Sequence, residues 1–373
     1  FNATSIPVTF EIAGLKNTTM TVDINDPTEF GNKTTVTVTI PDVTDGNVTV
    51  WFNETNVSAE YIGNGVFKVV TELPVGDYIV NVTYTNGTKY ADMRRDNLTL
   101  SVKDNSSYVF DVTVSPAPYG QVTNITVTGP ANGTVQVIVD GVTYTVKLNE
   151  SGVGVKQLNN LTAGKHEVVA NFTGDKNYTA KTDSATFDIP KAASFANVTI
   201  DKVNADAGDD VKISVKVPAD AKGQVNIKVD GVDHLVNVEN GYANLTVNNT
   251  KPGAHPVVAT YLGDSNYNVS AENDTSFNVY KMNTTIDKDL VIADNNAVNI
   301  TITLNENATG NVTVEVNGKV YNATVKDGVA TLELPTLANG TYDLTVNYNG
   351  DKNYNANSTH AIFEVTGLNN YTM

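Results

Sequence analysis

The chain has 373 residues, a formal net charge of −17, no cysteine and only two arginines, Arg94 and Arg95. Phosphate repels an acidic chain so poor in arginine, which excludes a nucleic-acid binder, and the lack of thiols excludes cysteine-based metal sites and nucleophiles. Valine, threonine and asparagine dominate and strong helix formers are sparse, so the length predicts several small all-β domains.

In chain order, residues 1–16 read as the last strand of a domain whose body lies elsewhere. Residues 17–103 form the first full domain, where Val36, Val38 and Ile40 alternate with Thr35, Thr37 and Thr39. Gly46, Val48 and Val50 open a further strand, and Trp51 and Phe52 follow it. Because Trp51 and Phe52 appear only in this domain, one reading is an additional contact made there, and the bland reading of Trp51 is an anchor in its own domain's core. Residues 104–190, 191–280 and 281–366 repeat the plan, and residues 367–373 read as the start of a following copy.

The repeat is tight. Gly174-Asp175-Lys176-Asn177-Tyr178, Gly263-Asp264-Ser265-Asn266-Tyr267 and Gly350-Asp351-Lys352-Asn353-Tyr354 are copies of one loop. A worn copy, Gly87-Thr88-Lys89-Tyr90, has lost the Asp and Asn. The tyrosines step by 178 − 90 = 88, 267 − 178 = 89 and 354 − 267 = 87 residues. Tyr84, Phe172, Tyr261 and Tyr348 form an aromatic column before the loops, and Gly76, Gly164, Gly253 and Gly340 read as turn glycines before that. Asp140-Gly141, Asp230-Gly231 and Asn317-Gly318 suit two-residue hairpin turns, whose positions need positive φ. Period-two alternation with one polar face is what an antiparallel sheet shows when one side is wet. Six to eight strands in about 88 residues predict an all-β fold of tandem immunoglobulin-like β-sandwich domains, joined by short connections into an extended rod.

The two ends match. Phe1-Asn2-Ala3 through Met20 aligns with Tyr354-Asn355-Ala356 through Met373 without a gap, at an offset of four domains. One expectation is therefore a four-domain unit of a longer repetitive polypeptide. The rival is a separate filament subunit that donates strand 1–16 to a neighbour's sandwich.

The Tyr-x-Gly-Asp-x-Asn-Tyr loop and the final strands Thr186-Phe187-Asp188-Ile189 and Ser276-Phe277-Asn278-Val279 resemble the bacterial-type immunoglobulin-like repeats of adhesin-like surface proteins in methanogenic archaea. That resemblance implies an exported, envelope-anchored protein with stalk or adhesive duties, and it brings no catalytic residues.

The loop's carboxylate and amide oxygens are of the kind that bind calcium, but recurrence at one phase favours a structural role: glycine supplies positive φ, Asp and Asn bond the turn, and Tyr packs the sandwich end. Asp23-Ile24-Asn25-Asp26-Pro27 is the richest oxygen set near a domain junction, and equivalent stretches lack it. Asp209-Asp210 and Asp294-Asn295-Asn296 are likewise isolated, so no metal and no cofactor is expected. His166, His234, His255 and His360 read as occupying different phases with no metal spacing, and no nucleophile or carboxylate pair recurs, so the chain reads as a non-enzyme. Lys212 and Lys216 fall on the wet face of their strand, which argues against an isopeptide cross-link.

Acceptor sequences for N-glycosylation number 29. The best placed are Asn53, Asn86, Asn132, Asn149, Asn299, Asn311 and Asn339, on turns or polar strand faces where a sugar projects into solvent. No run of about 18 apolar residues exists, and residues 1–20 lack the pattern of a signal peptide, so the export signal and envelope anchor are expected outside this segment. The expected place is the extracellular cell surface. The expected partners are copies of itself in a filament or surface assembly, or ligands on host or microbial surfaces. Lateral packing predicts matched patches at one phase of successive repeats, whereas a spacer predicts none.

Overall fold

A computed structural model describes residues 14–292 and 297–366. The expected strand of residues 1–13, the Asp294-Asn295-Asn296 stretch and the expected restart at 367–373 lie outside the described residues. The chain divides into two compact units, Phe1–Ile189 and Pro190–Met373. Each holds two sandwiches, and the described residues form strands and turns with no helix.

The first sandwich has one sheet ordered Thr21–Ile24, Thr34–Thr39, Val66–Thr71, Glu60–Gly63. Its second sheet runs Thr28–Glu29, Met93–Lys103, Gly76–Thr85, Asn47–Phe52, Thr55–Ser58. These nine strands exceed the expected six to eight, because the chain folds back once more at Glu60–Gly63. The second sandwich packs Asp111–Ser115, Thr123–Thr128, Val153–Leu158 on Val142–Lys147, Thr134–Val139, Gly164–Phe172, Lys181–Ile189.

In the second unit, the third sandwich packs Asn197–Ile200, Val211–Lys216, Tyr242–Val247 on a five-stranded sheet. That sheet runs Asn204–Asp206, Asn273–Tyr280, Gly253–Tyr261, Gln224–Val229, Val232–Asn237. The fourth packs Asp287–Ile292, Val298–Thr303, Val329–Leu334 on Lys319–Val325, Gly310–Val316, Gly340–Tyr348, Asn357–Val365.

Alternation decides what goes inside. Val36, Val38 and Ile40 are buried and the threonines between them face outward. Val211, Ile213 and Val215 are fully buried, whereas Lys212 and Lys216 are exposed. Each sandwich keeps its own core of this kind. Burying one such side chain stabilises by roughly 1.5–3 kcal/mol, so the interleaved valines, and not the turns, carry most of each domain's stability. The aromatic column sits at the centre: Tyr84 and Tyr261 are 0% exposed, Tyr348 1% and Phe172 2%. Gly76, Gly164, Gly253 and Gly340 open long strands and are not turn residues. Their φ values of +156°, +123°, +146° and +152° admit the chain at an angle that a side chain resists.

A short strand near the start of a domain runs parallel to its last strand. Thr28–Glu29 pairs with Val102–Lys103, and Asn204–Asp206 with Asn278–Tyr280. In the second and fourth sandwiches the described parallel pairing is a single bridge beside the loop tyrosine.

Candidate functional site

The recurring loop is a fastening. In its three full copies the Asp Oδ1 accepts the next two backbone N–H groups but one. Asp175 takes Asn177 at 2.8 Å and Tyr178 at 3.0 Å; Asp264 takes Asn266 at 2.7 Å and Tyr267 at 2.8 Å; Asp351 takes Asn353 at 2.7 Å and Tyr354 at 2.8 Å. Gly174, Gly263 and Gly350 hold φ of +82°, +77° and +77°, and an added Cβ at Gly350 would meet Tyr354 O and Ala356 N at 2.8 Å. The folded loop then presents its backbone to the segment that leads into the same domain. Asn105 bridges Tyr178, Ala192 bridges Tyr267 and Met282 bridges Tyr354.

The second Asp oxygen reaches across the sandwich end. Asp264 Oδ2 accepts Lys222 N at 2.7 Å, and Asp351 Oδ2 accepts Thr309 N at 2.9 Å and Thr309 Oγ1 at 2.8 Å. Burial pushes the Asp264 and Asp351 carboxyls up, but these amide donors outweigh it and hold both below the usual carboxylate range. The neighbouring tyrosine hydroxyls move the other way. Burial, aided by the charge of Asp351, pushes Tyr348 up to about 12. Tyr348 donates to Thr309 O at 2.8 Å and Tyr261 to Lys222 O at 2.7 Å.

Domain 1 makes the same bond with the partners exchanged. Its loop has Thr88 where the others have Asp, and Asp45 on the facing turn supplies the carboxylate. Asp45 Oδ2 accepts Thr88 N at 3.1 Å and the Thr88 hydroxyl as well. The worn loop therefore keeps its function, and Lys16 bridges Tyr90 as its counterparts do. Lys16, expected with the preceding strand, thus belongs to the first domain.

The histidines require a correction. His166 and His255 occupy one phase, 89 residues apart (255 − 166), and make the same contacts. Nδ1 of His166 meets Asp140 Oδ2 at 2.6 Å and Nε2 meets Thr162 O at 2.7 Å; His255 meets Asp230 at 2.7 Å and Lys251 O at 2.8 Å. Each ring also stacks on the final-strand phenylalanine, Phe187 or Phe277. Tyr78 and Tyr342 take this place in domains 1 and 4, donating to Pro74 O and Ala338 O, with Asn53 and Asn317 at the hairpin. The exchange of His with Tyr hides the phase from a search for histidines. Burial lowers the pKa of both imidazoles, but the hairpin carboxylate and a backbone carbonyl outweigh it and leave them above the usual value.

Trp51 also departs from expectation. It stands on the outer face of its sheet, 36% exposed, while Phe52 enters the core at 2%. The register that buries Val48 and Val50 puts Phe52 inside and must turn Trp51 out. Of the calcium-like stretch, Asn25 Oδ1 accepts Thr35 N at 2.6 Å and Asp26 Oδ1 accepts Ser101 N at 2.8 Å, so both oxygens bond to backbone N–H groups of neighbouring strands. Among the described residues no group of three or more His, Asp or Glu is placed to hold a metal ion. Asn53, Asn86, Asn132, Asn149, Asn299, Asn311 and Asn339 are all exposed. Asn53 and Asn149 spend their Oδ1 atoms on backbone N–H groups of Ile79, Ser151 and Val153.

The sandwich topology defines a chain of tandem immunoglobulin-like domains. Residues 110–189, 198–280 and 288–366 each match the bacterial Ig-like domain (group 3), over more than half of the chain, and the chain belongs to that family. No curated protein matches it. Among solved structures, a tetra-tandem repeat in the extending region of a large adhesion protein is 18% identical, covering 94% of this chain and 99% of that one at a TM-score of 0.35. Sidekick-1 immunoglobulin domains 1–5 are 12% identical, covering 92% and 80% at 0.31. A 1.5-MDa bacterial ice-binding adhesin is 17% identical, covering 70% and 98% at 0.27.

Proposed function

We propose that this segment is a stalk of an extracellular structural and adhesive glycoprotein of the cell surface, one four-domain unit of a longer repetitive polypeptide. The observation that carries the reading is the fastening. What recurs from domain to domain is the bridge that ties the leading segment to the loop tyrosine, and in domain 1 the loop's bond to the facing turn is kept with its two partners exchanged. A repeat conserved in its mechanics and varied elsewhere suits a spacer that holds something away from the envelope. The acidic surface and the exposed asparagines are consistent with a hydrated, sugar-coated exterior. In this reading its source is of the kind its repeats resemble, the adhesin-like surface proteins of methanogenic archaea. Its partners in this reading are further copies of the same chain or ligands on other cells, with the anchor outside this segment.

The test is mass spectrometry of cell-derived surface material, with glycopeptide mapping. A polypeptide longer than this chain, released by surface proteolysis and sugar-bearing at several of the seven asparagines, is expected. An unglycosylated species beginning at Phe1 and ending at Met373 would overturn the reading in favour of a subunit that donates strand 1–16. Domain 4 already owns its final strand, Asn357–Val365, and so offers no vacancy for such a donor.

A further inference from the structure

Domain 1 differs from the other three in features that meet at one place. It holds the chain's single tryptophan and both arginines. The pairing of its strands Gly76–Thr85 and Met93–Lys103 shifts register between Val80 and Val82. Opposite the shift, Asn97 takes φ of +57° and donates its N–H to Asn81 Oδ1 at 2.9 Å. Irregularities of this kind re-aim the side chains beside them.

Trp51 lies directly across from Asn81, and Thr83 directly across from Arg94, so the four side chains share the outer face of the sheet. With Glu54 and Thr85 they line an open groove of about 550 Å³, inside the range of roughly 300–1,000 Å³ typical of small-ligand sites. The corresponding cross-strand pairs elsewhere are Ile138 with Val169, Lys228 with Val258 and Glu315 with Thr345. None offers an aromatic surface beside an amide. The core does not need Trp51, because Phe52 fills it.

An exposed indole is a flat apolar platform, and around it stand an amide, hydroxyls and a guanidinium, all suited to hydroxyl groups. Charge narrows the ligand. Arg94 Nε sits 2.5 Å from Asp96 Oδ1, and Glu54 stands on the groove's rim, so the lining carries no unmatched positive charge for an acid. We propose that this groove binds a neutral saccharide of another molecule, its ring stacked on Trp51 and its hydroxyls held by Asn81, Thr83 and Arg94. The site stands whether the chain is a stalk or a filament subunit.

The whole chain, expressed without glycosylation, is titrated with cellobiose, chitobiose, lactose and mannobiose, and with glucuronic acid as the charged probe. Because Trp51 is the single tryptophan, indole emission reports this groove alone. A saturable change with at least one neutral disaccharide below about 10 mM is expected. Calorimetry should show binding lost in Trp51→Ala and weakened about tenfold in Thr83→Val, with unchanged circular dichroism in the second variant. No saturable response to any neutral probe overturns the proposal, as does binding of glucuronic acid alone. So does sugar on Asn53 or Asn81 in cell-derived protein, which would fill the groove from within.

Discussion

Replacing Asp351 with alanine removes four hydrogen bonds at once: those from Asn353 N, Tyr354 N, Thr309 N and Thr309 Oγ1. A bond to a charged group contributes about 1.5–3 kcal/mol when well sheltered. Asp351 is half-buried, so water takes over part of the lost bonding, and the expected loss is about 2–4 kcal/mol. Asp351→Asn keeps an acceptor for the two loop amides and is expected to lose about half as much. Hydrogen-exchange mass spectrometry on the whole chain reads the domains separately. A loss of 2 kcal/mol raises the opening equilibrium about 30-fold, seen in peptides covering Gly340–Tyr348 and Asn357–Val365 and not in those of domains 1 to 3. The double variant Thr309→Asp/Asp351→Thr copies the exchanged partners of domain 1 and should recover part of the protection. A change under about threefold in Asp351→Ala would refute the fastening role.

Substituting Gly350 by alanine places a methyl group 2.8 Å from Tyr354 O and Ala356 N at a φ of +77°, and should cost about 2 kcal/mol or more by the same exchange assay. For the Asp140–His166 pair the imidazole pKa is raised, so its contribution is complete below the ordinary histidine value and fades as pH rises through the raised one. Burial pushes the Asp140 carboxyl up, but the His166 bond, the Glu167 N–H and the His166 charge together outweigh it and leave the carboxyl lowered, so its share is lost only as pH falls through that depressed value. Proton NMR of the ring hydrogens should find His166 and His255 titrating above about 6.5. Asp140→Asn should bring His166 down without moving His255; a His166 midpoint unchanged by that variant would refute the pairing.

The fold was open to a reader of the sequence because its signals are local. Alternation assigned Val36, Val38 and Ile40 to the core, and the loop tyrosines set the period. Trp51 was equally legible: the alternation that buries Val48, Val50 and Phe52 leaves it on the other face, and aromatic character alone was a poorer guide than phase. The fastening was half visible. Asp351 and its loop could be found as a repeated motif, but Thr309 lies 42 residues away (351 − 309), and only the folded sandwich brings the two together. For the same reason Asp45 could not be recognised as standing in for the missing loop carboxylate. His166 and His255 were obscured because Tyr78 and Tyr342 do their work in the other two domains, a kinship of contacts rather than of residue type.

The parallel pairing of a domain's early residues with its last strand sets how that domain meets a pull on its ends. Two strands running the same way are drawn past each other along their length, so the bonds between them are loaded in shear and yield together, not one by one. Domains 1 and 3 have the longer parallel contact, Thr28–Glu29 and Asn204–Asp206 in addition to the tyrosine bridge, whereas domain 2 relies on the bridge. Under rising tension the second sandwich should therefore open before the first and third. Such a chain would lengthen in steps, absorbing a tug before its strongest links are tried.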